Sequence, residues 1–415
     1  MKNIYTSVDI GSDTIKVVVC ELLNNKLNLL AASSVKSKGI KKGLITSFED
    51  AQNSLKLAVS KIKDMLGTNI EHAIVSVPSY FAEYVMIKGS INILSSDHTV
   101  VGKDIDSVIE SAIANHDISG KSIITTIPID FSVDGGENTF DPKGLQGEVL
   151  SMRGIMVTTP KKNLYSVLNL FDSVGIEVDD VSINGIGDFY SLKSEGMEQT
   201  VGSVVNIGAE TTNISLFNKG VIVKSSILQN GGRNIDSDIS YIYKVSLEDA
   251  IELKEKFALA HKKNASVNDV CMITTNSGTS KKVNQYEVSE VVYARLEQIL
   301  NSVKSEISTL TNRKLDYIIL TGGTSNMTHF NYIASEILGK NAIVGNVKLI
   351  GVRNNKYSSA IGNILYFVSK LRLNGSSYTM FKKDEIEELG SNRKSVTSNS
   401  NDSMLSKVFG YFFGE

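Results

Sequence analysis

One short pattern occurs twice in this chain, at residues 8–16 and again at residues 205–213, and it constrains the fold more than any other feature. Each copy has an apolar run, a glycine beside small polar residues, and a second apolar run, which predicts a strand, a tight turn and a strand. Such turns direct backbone N–H groups at an anion, and Gly11 and Gly208 let the backbone approach a phosphate closely. The repeat predicts two related halves that close on one nucleotide.

A third segment, at residues 318–327, reads as a buried strand, a Gly-Gly turn and a helix. Gly322 and Gly323 would let the backbone lie flat against a purine ring, and the N-terminus of the helix beyond favours negative charge. Taken alone, this turn or either hairpin is more often an ordinary loop. Together the three segments predict the phosphate and adenosine ends of one pocket. A further turn at Gly231 and Gly232 either lines the same cleft or simply connects a hairpin to a helix.

Length and composition limit the classes of protein to which this chain can belong. At 415 residues it is too long for one hydrophobic core, so two or more domains are expected. The net charge of −2 predicts no attraction to nucleic acid. Two cysteines, Cys20 and Cys271, imply no disulfide framework. We expect no signal peptide, and no apolar run approaches the roughly 20 residues that span a bilayer.

Strand and helix patterns alternate along most of the chain, which predicts an α/β protein. The first half begins with three strands and a helix over Phe48–Leu66, and a similar order of strands starts again near residue 203. Between residues 85 and 163, strand and turn patterns predict a small inserted subdomain. Longer helices are predicted at residues 247–260 and 288–310.

The C-terminal end carries a second, independent pattern. Residues from about 374 to 402 are rich in serine and asparagine, which predicts a flexible tether. At residues 403–415 the large apolar side chains recur on one face of a helix. Such a helix either lies in a membrane interface or docks back on the protein, and a long tether favours the membrane. The candidate membrane-binding residues are Met404, Leu405, Val408, Phe409, Phe412 and Phe413.

The two hairpins and the Gly-Gly turn resemble the ATP-binding superfamily of actin, the heat-shock chaperone ATPases and the sugar kinases. Within it, residues 37–45, 128–135 and 141–147 are similar to the bacterial cell-division family FtsA, and the resemblance covers roughly residues 4–370. It implies an α/β, actin-like two-domain fold with duplicated RNase H-like halves and an FtsA-type inserted subdomain.

The resemblance also implies a division of the chain into subdomains. Residues 1–84 and 164–200 would form the first core (subdomain 1A), with the inserted subdomain (1C) at 85–163; the second core (2A) would take 201–242 and 312–371, with subdomain 2B at 243–311; a flexible linker at 372–402 would then lead to an amphipathic membrane-targeting helix at 403–415.

An ATP site follows from the same resemblance, with Asp9 near a magnesium ion. The implied nucleotide-binding residues are Asp9, Gly11, Ser12, Asp13, Thr14, Lys16, Asn206, Gly208, Ala209, Glu210, Thr211, Thr212, Gly231, Gly232, Lys254, Gly322, Gly323, Thr324 and Met327.

The second hairpin departs from the family pattern, which reads D-I-G-G-G-T-T-D. Asn206 replaces the first Asp, Ala209 and Glu210 replace two glycines, and Asn213 replaces the last Asp. Glu210 would bring a carboxylate near the phosphates, and Ile251 stands where the family has a Glu before Lys254. Because magnesium needs anionic or strongly polar oxygens, we expect it to be weakly held, and at most weak ATPase activity.

Two classes of function remain open. The resemblance implies an ATP-binding cell-division protein that polymerises and tethers the FtsZ ring, peripheral on the cytoplasmic face of the membrane at the division site. Its partners would be the FtsZ C-terminal tail docking on subdomain 2B, other copies of itself, the bilayer surface and other divisome proteins. Arg295 is the candidate contact for an acidic tail, or else a solvated surface arginine. The alternative is a soluble ATP-dependent kinase or phosphatase for a small molecule, which needs a carboxylate base that the second hairpin has lost.

Overall fold

A computed structural model describes residues 2–114, 116–387 and 389. The first half is built on a five-stranded sheet with the strand order β10-β6-β1-β2-β3. Strands β1, β2 and β3 pair antiparallel, and β6 and β10 run parallel to β1. Its first elements are β1 (Asn3–Ile10), β2 (Thr14–Leu23), β3 (Lys26–Lys36), the short pair β4 (Ile40–Lys41) and β5 (Leu44–Ile45), α1 (Phe48–Leu66) and β6 (His72–Val77).

A separate three-stranded antiparallel sheet interrupts this half, in the order β7-β9-β8. Its elements are β7 (Glu83–Asn92), α2 (Gly102–Ala114), β8 (Lys121–Val133) and β9 (Val149–Pro160). The helix packs on the sheet over a small core of its own that includes Ile87, Ile105, Phe131 and Leu150. The first half then resumes with α3 (Lys161–Asp172), β10 (Glu177–Ile183) and α4 (Asn184–Leu192).

The second half repeats the first sheet, with strand order β13-β12-β11-β16-β17. Three antiparallel strands are again followed by two parallel ones. The elements are β11 (Val201–Ile207), β12 (Thr212–Asn218), β13 (Val221–Leu228), α5 (Gly232–Tyr243), α6 (Leu247–Glu252), β14 (Val270–Thr274), β15 (Ser280–Asn284), α7 (Gln285–Leu310), β16 (Tyr317–Thr321), α8 (Phe330–Leu338), β17 (Ala342–Val344) and α9 (Ser358–Leu373). Both copies of the repeated sequence pattern therefore occupy equivalent hairpins, β1–β2 and β11–β12.

Helices α4 and α9 join the two halves and pack against each other along their backbones. A Cβ atom added to Gly362 would lie 1.6 Å from the backbone oxygen of Gly187, so a side chain at either glycine would separate the helices. The Ser182 hydroxyl of β10 also donates to the Asn363 side-chain oxygen of α9 at 2.7 Å, which connects α9 to the first sheet.

The helix predicted at residues 247–260 is confirmed over residues 247–257, but it ends early and is not a regular α-helix throughout. Helix α6 ends at Glu252 and continues into one π-helical turn over Leu253–Phe257, and the backbone is extended at Ala258. The Ala258 N–H donates to the carbonyl of Leu253, which closes the wider turn. Lys254 lies in this turn and forms a buried ion pair with Asp236 of α5 at 2.7 Å, a tertiary contact that local helical spacing does not reveal.

The chain beyond α9 also differs from the sequence expectation. We call residues 378–385 the C-terminal strap, because they pack against the first sheet beside β1. The Met380 N–H donates to the Ile4 carbonyl at 3.0 Å, and the Ile4 N–H donates to the Thr379 hydroxyl at 3.1 Å. Met380 and Phe381 are buried. The prediction of a flexible linker from residue 372 is therefore wrong for this segment, because two apolar side chains fix it to the core.

The strap occupies an edge that the sheet leaves open. Strand β6 pairs with β1 at Ser7 and Val8, so the beginning of β1 needs another partner. Farther along the strap, the Thr68 hydroxyl donates to Glu385 at 3.2 Å, and Lys382 pairs with Glu71 at 2.6 Å. The predicted amphipathic helix at 403–415 lies outside the residues that the structure describes. Within the described part of the chain, no helix has the length and apolar character needed to cross a membrane.

Candidate functional site

A cleft of about 620 Å³ lies between the two halves, within the range of small-molecule sites. It is lined by the turns of both hairpins, the Gly-Gly turn after β16, the start of α5 and the π-helical turn. The structure brings together most residues predicted for nucleotide binding: Asp9, Gly11, Ser12, Asp13, Thr14, Lys16, Asn206, Gly208, Ala209, Thr211, Gly232, Lys254, Gly322, Gly323, Thr324 and Met327.

Three predicted residues, Glu210, Thr212 and Gly231, do not line this cleft. The Glu210 carboxylate instead accepts the backbone N–H of Lys42 in the first half at 2.6 Å. The Thr212 hydroxyl donates to the Asn230 carbonyl at 2.9 Å. The expectation that Glu210 brings a negative charge toward bound phosphates is therefore wrong, because the turn directs this side chain to the opposite half.

The first hairpin holds an ion pair across its two strands. Its turn closes with the Gly11 N–H donating to the Thr14 carbonyl at 3.1 Å. Asp9 and Lys16 are paired in the β1–β2 register, which places the Lys16 ammonium 2.7 Å from the Asp9 carboxylate. Both side chains are buried, so each charge depends on the other for compensation.

The second hairpin is supported by a carboxylate that sequence reasoning missed. Its turn closes in the same way, from the Gly208 N–H to the Thr211 carbonyl at 2.9 Å. The Asn206 amide donates to Asp188 of α4 at 2.8 Å, and Asp188 also accepts the hydroxyls of Ser358 and Ser359 at 2.5 and 2.7 Å. Burial raises the pKa of Asp188 to about 6, although these three donors oppose the rise. No sequence motif marks Asp188, because the α4–α9 crossing brings it here.

A row of alternating charges runs across the cleft. Lys36 and Arg233 both donate to Asp13, at 2.9 and 2.7 Å, and Arg233 also lies 3.9 Å from Asp236, which pairs with Lys254. Burial alone would raise the pKa of Asp13, but Lys36 and then Arg233 hold it below its usual range. For Asp236, burial prevails over both cations and raises the pKa.

In the Gly-Gly turn, the backbone conformation and contacts of Gly322 require a glycine, whereas the protein leaves open space at Gly323. Gly322 has a φ of +90°, and a Cβ there would lie 2.4 Å from the Asn206 side-chain oxygen. A Cβ on Gly323 would meet nothing within 4 Å, although this residue lines the cleft. The open space above Gly323 fits the predicted approach of a flat ring to the backbone. Ile251, at the position where a Glu was expected, also lines the cleft.

The donor set does not fit a magnesium ion held directly by the protein. Asp9, the predicted metal ligand, is engaged by Lys16, while Asp13 and Asp236 are each engaged by cationic side chains. Asn206 brings no charge, and its amide nitrogen is directed to Asp188. Across residues 2–114, 116–387 and 389, no group of three or more His, Cys, Asp or Glu side chains could hold a metal ion.

Sequence reasoning missed several cations of the cleft. Lys36, Lys42, Arg233 and Lys356 all line it. Burial lowers the pKa of Lys356, and the charge of Lys16 adds to that effect. Arg233 directly follows the Gly231-Gly232 turn, so its position was recognisable, but the direction of its side chain was not. Glu255, in the π-helical turn, is a further cleft residue without a sequence motif.

Arg295 lies on α7, away from the cleft. Its guanidinium donates twice to Asp238 of α5, at 2.5 and 2.8 Å, and also donates to Gln298. This arginine therefore braces α5 against α7 rather than extending into solvent as an unpaired charge. Its role as a contact for an acidic tail stays a prediction.

Comparison with known proteins gives the family. The family described as "Cell division protein FtsA" matches residues 203–362, and the one described as "SHS2 domain inserted in FTSA" matches residues 83–158. The chain is 29% identical over 360 residues to the cell division protein FtsA of Streptococcus pneumoniae, covering 86% of this chain and 78% of that protein. For FtsA of Bacillus subtilis the identity is 28% over 375 residues, covering 90% and 85%. Over most of its length, this chain is similar to FtsA proteins.

Solved structures share the fold of this chain. A PilM–PilN type IV pilus biogenesis complex contains a chain that matches with a TM-score of 0.57 and 14% identity, covering 88% of this chain and 98% of that one. MreB5 of Spiroplasma citri bound to ADP matches with a TM-score of 0.54 and 13% identity, covering 90% and 99%. The predicted actin-like α/β fold is confirmed, and the SHS2 match coincides with the inserted sheet β7-β9-β8.

Proposed function

We propose that this chain is an ATP-binding, actin-like cell-division protein that polymerises and tethers the FtsZ ring to the cytoplasmic membrane. Similarity to FtsA proteins supports the cell-division role, since relatives in two organisms carry that name. The observation that carries the ATP site is the convergence of two equivalent hairpins on one cleft, with Lys16 at its phosphate end and open space above Gly323. The related fold of an MreB protein solved with ADP agrees with this site.

Nucleotide would act here mainly as a structural ligand. The two hairpin turns belong to opposite halves, so contacts from both turns to one polyphosphate bias the protein toward the closed arrangement. Rapid hydrolysis is not expected from Asn206, because a neutral amide cannot accept a proton from an attacking water as a carboxylate can. We therefore propose weak ATPase activity at most, with Lys16 and Lys254 orienting the bound phosphates and the ribose end.

Assembly would follow from closure. A closed chain that contacts the next copy head to tail forms an open filament, because such heterologous contacts repeat without closing a ring. A filament then carries many C-terminal segments, and their weak membrane contacts add through effective concentration. The FtsZ C-terminal tail would dock on the region 243–311, and other divisome proteins would join at the division site.

The membrane contact is assigned to residues 403–415, in which large apolar residues recur at a spacing that would place them on one face of a helix. The protein would be peripheral on the cytoplasmic face, held mainly by apolar burial because Lys407 is the one cation in this segment. The predicted contact residues remain Met404, Leu405, Val408, Phe409, Phe412 and Phe413.

Liposome co-sedimentation with ATP tests this proposal. The full chain should pellet with lipid, and a chain truncated after Asp402 should stay in the supernatant. Phe409→Asp should abolish pelleting, whereas Ser406→Asp, which adds the same charge on the polar face, should retain most of it. If the full chain and the truncated chain behave alike, the tether is wrong, and the soluble kinase or phosphatase becomes the function to test. Electron microscopy of the pelleted full chain tests filament formation separately.

A further inference from the structure

We propose that this cleft neutralises nucleotide phosphates with protein cations, Arg233 foremost, so that nucleotide binding is largely independent of divalent metal. The inference rests on the ATP binding proposed above and specifies how the charge of the ligand is compensated. The donor set of the cleft does not fit a directly held magnesium ion, because Asp9, Asp13 and Asp236 are each engaged by a lysine or an arginine.

The charge balance of the lining favours a polyanion. Six cationic side chains face the cleft, Lys16, Lys36, Lys42, Arg233, Lys254 and Lys356, against four acidic ones, Asp9, Asp13, Asp236 and Glu255. The cations come from both halves, so they surround the space between the hairpin turns. Such a cleft attracts phosphate groups over distance and stabilises their charge once they are bound.

The acidic side chains near the hairpins are already compensated. Asp9 pairs with Lys16, Asp236 pairs with Lys254, and Asp13 has both Lys36 and Arg233. A divalent ion seeking carboxylate oxygens would have to displace a lysine or an arginine from each of them. A phosphate would instead find N–H donors that are already oriented by these carboxylates.

Arg233 has the position that this role requires. Its backbone N–H donates to the Ala209 carbonyl at 2.6 Å, which fixes the residue against the second hairpin. Its guanidinium reaches the first hairpin at Asp13 with one nitrogen and lies 3.9 Å from Asp236 with another. A planar guanidinium presents five N–H donors and binds phosphate with two at once, so Arg233 can contact a phosphate while it still spans both halves.

Binding of a fluorescent ATP analogue to the full chain, with excess magnesium or with excess EDTA, tests the proposal. Chelation should change the Kd by less than about threefold. Arg233→Gln should weaken binding in EDTA by about tenfold, as expected for loss of one charge-assisted contact. Arg233→Lys should recover part of the loss. Arg153→Gln is the matched control, because Arg153 also pairs with an aspartate, Asp130, but does not line the cleft.

Two results would overturn the inference while leaving the ATP site intact. One is a loss of affinity of tenfold or more when magnesium is removed from the unsubstituted chain. The other is an unchanged Kd for Arg233→Gln in EDTA, with circular dichroism showing the variant to be folded. Absence of binding in both buffers would instead overturn the ATP site itself, and this inference with it.

Discussion

The guanidinium of Arg233 donates to the carboxylate of Asp13 at 2.7 Å and joins the second half of the protein to the first across the cleft. Asp13 lies in the turn of the first hairpin, and Arg233 lies in the first turn of α5. Further contacts span the halves, among them the hydrogen bonds from the Lys42 N–H to Glu210 and from the Tyr84 hydroxyl to Ser225, each at 2.6 Å. Direct polar contacts at several points therefore hold the two halves together.

Reversing the charge of Asp13 tests this connection. Asp13→Arg places a third cation beside Lys36 and Arg233, so the halves should separate and the radius of gyration measured by small-angle X-ray scattering should increase. The single substitution Arg233→Asp should have a similar effect, because it sets two carboxylates against each other. The double variant with both changes restores an opposite-charge pair and should return toward the original scattering curve. If the radius of gyration of the double variant instead increases by the sum of the two single-variant increases, the pair does not control closure.

Substitutions in the Gly-Gly turn separate binding from folding. Gly323→Ala should leave the free energy of unfolding within about 0.5 kcal/mol of the original, because the added methyl group meets open space. It should weaken ATP binding by about tenfold or more, because that methyl group occupies the space proposed for the ring. Gly322→Ala should instead destabilise the protein by about 1 to 3 kcal/mol, since φ is +90° there. Denaturation and ATP titration of both variants measure the two effects. Normal affinity in Gly323→Ala would remove the adenosine end from this turn.

Asp188 should make stability depend on pH. Its pKa of about 6 in the folded protein lies above that of an unfolded chain, so the folded state holds the proton more tightly. The resulting stability is fully present below about pH 4 and is lost as the pH rises through about 6. The loss amounts to roughly 3 kcal/mol for a shift of this size.

Denaturation of the original chain and of Asp188→Asn between pH 4 and pH 7 measures this effect. The free energy of unfolding of the original chain should fall relative to that of the variant as the pH rises, because an amide does not titrate. Parallel curves for the two proteins would contradict the assignment of the raised pKa to Asp188.

Truncation at two points tests the C-terminal strap. A chain ending after Leu373 loses the strap, and burial of Met380 and Phe381 predicts that it is less stable by about 3 kcal/mol or more. A chain ending after Leu389 keeps the strap and should unfold at the same urea concentration as the full chain. Both lack the predicted membrane segment, so the comparison isolates the strap. Equal urea midpoints for the two truncated chains would show that the strap contributes nothing.

The predictions that succeeded depended on local sequence patterns. Alternating apolar residues on both sides of Gly11 and Gly208 defined the two hairpins, and α1 begins and ends at the predicted residues because apolar side chains recur at helical spacing. Those hairpins and the Gly-Gly turn were enough to locate the cleft. The predictions that failed share a cause, since each concerns a feature that depends on contacts between distant parts of the chain.

Three features show why local patterns were not enough. The π-helical turn places Lys254 against Asp236, a partner in another helix. Asp188 reaches Asn206 only because α4 and α9 cross at two glycines. Met380 and Phe381 stand in a polar segment that by composition reads as a tether, and only the open edge of β1 gives them a place to pack.

The strap also has a consequence for the order in which the protein folds. It joins Thr379 to Ile4, a contact between positions 375 residues apart in the sequence. All strands of the second sheet fall within residues 201–344, so their pairing closes much shorter loops. The second sheet can therefore form early, whereas the strap docks late. Until the strap docks, the start of β1 presents an unpaired edge to other chains.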